Sequence, residues 1–99
     1  PTTPPHYIGP NADIKRSFIT QGCMIDGEVK NSVLFTSAKI DTGARVIDSV
    51  LMPGVIVEAG AVVQRALVAD GVRIGKNAVV GSPDSEHIEL VAKRVKGAE

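Results

Sequence analysis

Few side chains in this chain could do chemistry. Its 99 residues hold two histidines, His6 and His87, and one cysteine, Cys23. Histidine is the side chain whose ordinary pKa suits proton transfer near neutral pH. Yet His6 follows a Pro-rich leader, Pro1-Thr-Thr-Pro-Pro, and His87 sits in an irregular tail. Both read as surface residues. Cys23 has no second cysteine to pair with and no cysteine cluster around it for a metal. No nucleophile motif, carboxylate–histidine metal spacing or phosphate-cradling glycine loop is present. The glycines Gly22, Gly43, Gly54, Gly60 and Gly71 recur at the corners of a repeat, where a positive φ accounts for them without a ligand. The residues therefore nominate no catalytic, cofactor-binding or metal-binding position.

What the chain does carry is periodicity. Ile14, Val29, Val46, Val63 and Val80 are spaced by 15, 17, 17 and 17 residues. Four of them open a pentad: Ile14-Lys-Arg-Ser17-Phe18, Val29-Lys-Asn-Ser32-Val33, Val46-Ile-Asp-Ser49-Val50 and Val63-Gln-Arg-Ala66-Leu67. Between them run hexads in which an aliphatic residue is followed four places later by a small one, as in Ile40-Asp-Thr-Gly-Ala44 and Val57-Glu-Ala-Gly-Ala61. A fixed period near twenty residues signals stacked coils. Each hexad is a short strand plus a corner, and alternate strand residues share a face. The reading is all-β: a parallel β-helix of hexapeptide repeats, about four and a half triangular coils. Three interior columns follow. One holds Ile19, Leu34, Leu51 and Val68; another Ile25, Ile40, Val57 and Ile74; the third the five residues that set the period. Cys23 falls in the small inward slot that Ala38, Val55 and Val72 fill in later coils and reads as a buried thiol. The segment Ile25-Asp-Gly-Glu28 is a shortened corner, which explains the interval of 15.

Composition agrees and excludes. Apolar residues make up 43% of the chain but aromatics only 3%, as suits a narrow prism filled by Val, Ile, Leu and Ala. Eleven basic and eleven acidic residues give zero formal charge, so there is no electrostatic footprint for nucleic acid or an anionic membrane. No apolar run approaches the roughly 20 residues of a membrane span. Residues 1–7 read as a linker from something longer, 8–81 as the β-helix, and 82–99 as a tail forming a strand or partial coil.

One feature does not follow from the prism. The fifth residue of every pentad is apolar: Phe18, Val33, Val50 and Leu67. Each adjoins an inward aliphatic and so points outward, with Phe35 and Met52 flanking the stripe. An exposed apolar stripe marks a contact surface. Two occupants are expected: another subunit or domain, or the chain's own tail folding back through Ile88 and Leu90.

Pro4-Pro-His-Tyr-Ile-Gly-Pro10, Ile14-Lys-Arg-Ser-Phe-Ile-Thr-Gln-Gly-Cys-Met-Ile25, Gly27-Glu-Val-Lys-Asn-Ser-Val-Leu-Phe35 and Val46-Ile-Asp-Ser-Val-Leu-Met-Pro53 resemble the C-terminal domain of bacterial glucose-1-phosphate adenylyltransferase (ADP-glucose pyrophosphorylase). The resemblance covers most of residues 4–81. Hexapeptide β-helices of known structure wind left-handed, against the usual rule for parallel crossovers, and the resemblance implies that hand here. It also implies a parent enzyme that makes ADP-glucose from ATP and glucose 1-phosphate for glycogen synthesis, using magnesium, in the cytoplasm. Its catalysis lies in an N-terminal domain outside this segment, so this segment alone is no enzyme. The β-helix is implied to serve allosteric regulation and oligomerisation, in a tetramer, with a phosphorylated effector as ligand. The tail Ile88-Glu-Leu-Val-Ala-Lys93-Arg94 is similar to a family segment whose lysine contacts an anionic effector. Lys93 and Arg94 are therefore candidate effector contacts, set against the plainer reading of a solvated basic pair. Other classes compatible with the fold are a different sugar nucleotidyltransferase and a hexapeptide-repeat acyltransferase. The latter uses a histidine near a coil edge, and no histidine lies between residues 8 and 81.

Overall fold

A computed structural model describes residues 7–98. Among them the only regular elements are strands, fifteen of two or three residues each. They stack into three parallel sheets of five strands, the faces of a triangular prism about 38 Å long and 24 Å across. Face I contains β1 (Tyr7–Ile8), β4 (Met24–Ile25), β7 (Lys39–Ile40), β10 (Ile56–Val57) and β13 (Arg73–Ile74). Face II contains β2 (Asp13–Lys15), β5 (Glu28–Lys30), β8 (Arg45–Ile47), β11 (Val62–Gln64) and β14 (Val79–Val80). Face III contains β3 (Phe18–Ile19), β6 (Val33–Leu34), β9 (Val50–Leu51), β12 (Ala66–Val68) and β15 (Glu89–Val91).

The register follows the repeat. Val29, Val46, Val63 and Val80 pair in sequence up face II, Leu34, Leu51 and Val68 up face III, and Ile25, Ile40, Val57 and Ile74 up face I. All but Val80, at 6% exposed, are at most 1% exposed. The parallel β-helix of the sequence reading is thus the fold. β-branched residues fill the columns because a branched Cβ packs well on a pleated surface with like residues above and below. Cys23 is fully buried in its slot, with Ala38 and Val55, and its thiol donates to Phe35 O at 3.2 Å.

The corners use the left-handed backbone. Gly22, Gly54 and Gly71 share one corner with Ser37, and Gly43 and Gly60 share another with Asn77; all have φ between 60° and 78°. The shortened corner works differently. At Gly27 a Cβ would overlap the Ala44 carbonyl oxygen of the next coil, so only glycine lets the clipped turn close. The neighbouring Asp26 spans the gap with its carboxylate. It accepts from Asn11 N at 2.9 Å in the coil below and from Thr42 Oγ1 at 2.7 Å in the coil above.

The pentad serines form a ladder at the edge between faces II and III. Ser32 and Ser49, 3% and 2% exposed, donate to Lys30 O and Ile47 O at 2.7 and 2.8 Å. Each hydroxyl also accepts from the next coil: Ser49 N on Ser32 Oγ and Ala66 N on Ser49 Oγ, both at 3.1 Å. The buried hydroxyls and the amides of Ser49 and Ala66 on that edge thus all find partners. Ala66 ends the ladder, and one coil later the chain departs after Val80 on an exposed excursion. It returns at β15, which pairs with β12. Val91 extends the face III column beyond Val68, and Val95 bridges Ile74 on face I.

Candidate functional site

Face III sets the outward apolar residues in one line. Pairing joins Phe18 to Val33, Val33 to Val50, Val50 to Leu67 and Leu67 to Leu90. Phe18 is 65% exposed and Leu90 72%, while Val33 and Val50 are half-buried between their neighbours. Backbone bonds from Phe35 N to Leu51 O and from Met52 N to Val68 O place Phe35 and Met52 in a second outward row. Thr20 and Ala69, held by the equivalent bonds to Leu34 O and Val91 O, complete that row. Near its end the face forms a shallow, mostly apolar groove lined by Met52, Leu67, Ala69 and Leu90, with Asp70 also in its lining.

The tail does not fold back across this stripe. Residues 89–91 join the edge of the same sheet, and Leu90 prolongs the row that it was expected to cover. Backbone pairing explains the outcome. Without β15 the edge of β12 would leave its amides and carbonyls unpaired, and a strand in register satisfies them.

The other faces are mixed outside: face I carries Lys39 and Arg73 beside Tyr7, Met24 and Ile56, and face II carries Asp13, Glu28, Arg45, Lys15 and Lys30 beside Ile47, Val62 and Val79. On face II, Glu28 binds Lys30 Nζ at 2.8 Å and Arg45 Nε at 3.1 Å. The Lys30 ammonium, then Arg45, hold the Glu28 carboxyl below its ordinary range against a desolvation that raises it. On face I, Glu58 pairs with Arg73 and accepts from Lys76 N at 3.1 Å. Arg73 chiefly lowers the Glu58 carboxyl, and the charge of Arg94 adds to the effect. The Asp26 carboxyl is lowered by the Thr42 hydroxyl and then by Asn11.

Lys93 and Arg94 do not converge on one pocket. Lys93 borders an open cleft at the end of the solenoid, with Val79, Val80, Gly81 and Glu89. Arg94 stands beside Arg73 on face I, because Val95 bridges Ile74. His87 is exposed in the excursion, where its backbone N–H donates to Ser85 Oγ at 3.1 Å. His6 lies outside the described residues. Sequence reading missed the Asp26 clasp and the serine ladder. Serine at the fourth place of three pentads was the available signal for the ladder; for the clasp, only the missing corner residues hinted that something must fill the gap.

Comparison with known proteins fits this geometry. A family model described as GlmU-like, C-terminal hexapeptide, matches residues 6–95. The chain belongs to that family. It is also similar to proteins named glucose-1-phosphate adenylyltransferase. That of Acetivibrio thermocellus is 37% identical over 90 residues, 91% of this chain and 21% of the relative. That of Bacillus cytotoxicus is 38% identical over 96 residues, 96% of this chain and 26% of the relative. That of Bacillus thuringiensis strain Al Hakam is 40% identical over 80 residues, 81% of this chain and 21% of the relative. The chain thus spans about a quarter or less of the curated relatives it matches. No helix among the described residues is long and apolar enough to cross a membrane.

Proposed function

We propose that this chain is the β-helix domain of a cytoplasmic enzyme that makes ADP-glucose from ATP and glucose 1-phosphate for glycogen synthesis. The observation that carries the reading is the identity of 37–40% over 81–96% of the chain to proteins of that name. On this reading magnesium and ATP belong to a catalytic domain in the remainder of the polypeptide. The β-helix serves assembly into a tetramer and regulation. Face III is its contact surface, since the outward row from Phe18 to Leu90 is apolar throughout and Phe35 and Met52 flank it. Lys93 at the end cleft supplies a point charge for a phosphorylated effector, and Arg94 on face I a bidentate fork, so an effector that uses both spans the edge between them.

The test uses the full-length protein. It should form ADP-glucose and pyrophosphate from the two substrates with magnesium, and Lys93→Gln with Arg94→Gln should weaken the response to phosphorylated sugars while leaving the effector-free rate unchanged. Turnover of another sugar phosphate or another nucleotide in preference would move the assignment to a different nucleotidyltransferase.

A further inference from the structure

Where successive coils leave face I, an acid follows the inward residue three times: Asp26 after Ile25, Asp41 after Ile40 and Glu58 after Val57. Two of the three are committed to their own corners. Asp26 clasps the clipped one, and Asp41 accepts from Thr42 N at 2.7 Å. Glu58 has one more methylene and reaches up to the next coil. Its Oε1 accepts from Lys76 N at 3.1 Å and its Oε2 from Arg73 Nη1. Arg94 stands beside Arg73, and its charge also reaches the Glu58 carboxylate. The series has no fourth acid, because Gly75 follows Ile74 and a Cβ there would overlap Gly97 N.

A guanidinium, a backbone N–H and a second guanidinium close by form a donor set suited to a phosphate group. The local charge also exceeds what one carboxylate neutralises. The groove on face I holds Lys39, Arg73 and Lys76 against Asp41 and Glu58, and Arg94 borders it, so four cations meet two acids in a chain of zero formal charge. Among the described residues the Glu58–Arg73 pair is the only ion pair of this face. These groups are within reach of a solute: Lys39, Lys76 and Arg94 are exposed, and the side chains of Arg73 and Glu58 are 46% and 30% exposed. We propose that this groove is a phosphate site and that Glu58 is its built-in competitor. The proposal rests on the reading of Arg94 as an effector contact and deepens it into a form of regulation. A phosphate dianion takes the Arg73 and Lys76 N donors from Glu58 and uses the positive charge that a single carboxylate leaves over. Glu58 is tethered and so competes at a high effective concentration. The site therefore fills only above a threshold of ligand, and a monoanion gains too little to displace the resident carboxylate.

The experiment is thermal melting of the full-length protein against inorganic phosphate at constant ionic strength, since a ligand of the folded state raises the midpoint as its site fills. Glu58→Gln keeps the shape and removes the competing charge. It should lower the phosphate concentration for half-maximal stabilisation about ten-fold, while acetate over the same range has no effect. Adding Arg73→Gln should abolish that gain. Glu58→Asp is a second route to the same end: like Asp41 it is too short for the next coil, so it should vacate the donors and shift the titration in the same direction by less. Both replacements leave every inward column intact. If both Glu58 variants titrate as wild type does, Glu58 competes with nothing and the proposal is overturned. The same holds if the gain survives Arg73→Gln, because the phosphate then binds elsewhere. If the gain is lost with Arg73→Gln but survives Arg94→Gln, the competition by Glu58 is upheld and the assignment of Arg94 to an effector is what fails.

Discussion

Faces II and III are built on the same interior and dressed differently outside. Behind each runs a column of branched aliphatics in register, buried by the same stacking. In front, face II carries Asp13, Glu28 and Arg45 in one row, continued by Val62 and Val79, and Lys15 and Lys30 in the next, continued by Ile47 and Gln64, while face III carries Phe18, Val33, Val50, Leu67 and Leu90. Parallel stacking puts like positions directly above one another, so a choice repeated every coil becomes a stripe. The inward choice specifies the prism. The outward choice is free of the fold: charged residues with ion partners mark the first coils of face II, and apolar residues run the length of face III.

The largest effect should come from confusing inside with outside. Val57 is fully buried between Ile40 and Ile74, and Val57→Asp would place a carboxylate there with neither partner nor water, a cost of several kcal/mol. Loss of the cooperative melting transition is expected. Glu58, one residue on, faces outward as its place in the repeat requires, but it is engaged with Arg73 and Lys76 N. Glu58→Lys should therefore lower the melting temperature modestly, where position alone would make it neutral. Equal melting of the two variants would mean that the two sides of the strand are not distinct.

Val50→Lys tests the outer face without touching a column. The full-length variant should stay folded and lose contact with its partner, seen as a smaller sedimenting species if the contact is between subunits, or as separated melting transitions if it is within one chain. Unchanged behaviour in both measurements would make face III solvent-facing despite its composition.

A middling effect is expected at the edge joining the two faces. Ser49→Ala removes the acceptor for Ala66 N in buried surroundings and the donor to Ile47 O in partly buried ones. Stranding such groups costs about 1–3 kcal/mol, measurable as a lower urea midpoint. Ser17, at the exposed start of the ladder, should cost less on the same substitution. Equal losses would show that burial of the ladder does not matter.

The smallest effect separates the charged face and the clasp from the apolar face by pH. Glu28 and Asp26 have folded-state carboxyls below their ordinary values of 4.5 and 3.8. The stability that such groups contribute is present above those values and is lost as pH falls through the lower folded ones. Wild-type stability should therefore decline on acidification below about pH 4.5. Glu28→Gln and Asp26→Asn should flatten that decline, and Val50→Lys should leave its slope alone. A slope unaffected by either carboxyl substitution would assign acid sensitivity to other groups.

Much of this was legible in the sequence because the repeat makes one strand predict the next. Once Val46 and Val63 are aligned, the column, the small slot of Cys23 and Ala38, and the positive φ of Gly43 and Gly60 all follow. The outward direction of Phe18 and Val50 follows from parity alone. The excursion after Val80 broke the pattern, and there the reading of the tail as a cover for the stripe did not hold. Leu90 has the composition of a covering residue. Its role was decided by the free edge of β12, a non-local fact with no local signature.

The sequence by itself determined the prism, because side-chain alternation and a 17-residue period leave a single way to bury the aliphatics. It also determined which face would be apolar. Only the tertiary structure decided how the irregular parts are repaired. Asp26 bridges two coils across a clipped corner, three serines pass hydrogen bonds along an edge, and Arg65, alone among the described residues, is left with a buried side-chain donor unmet. Those outcomes depend on which polar atoms arrive within about 3 Å of one another across stacked coils, and periodicity of residue type carries no information at that scale.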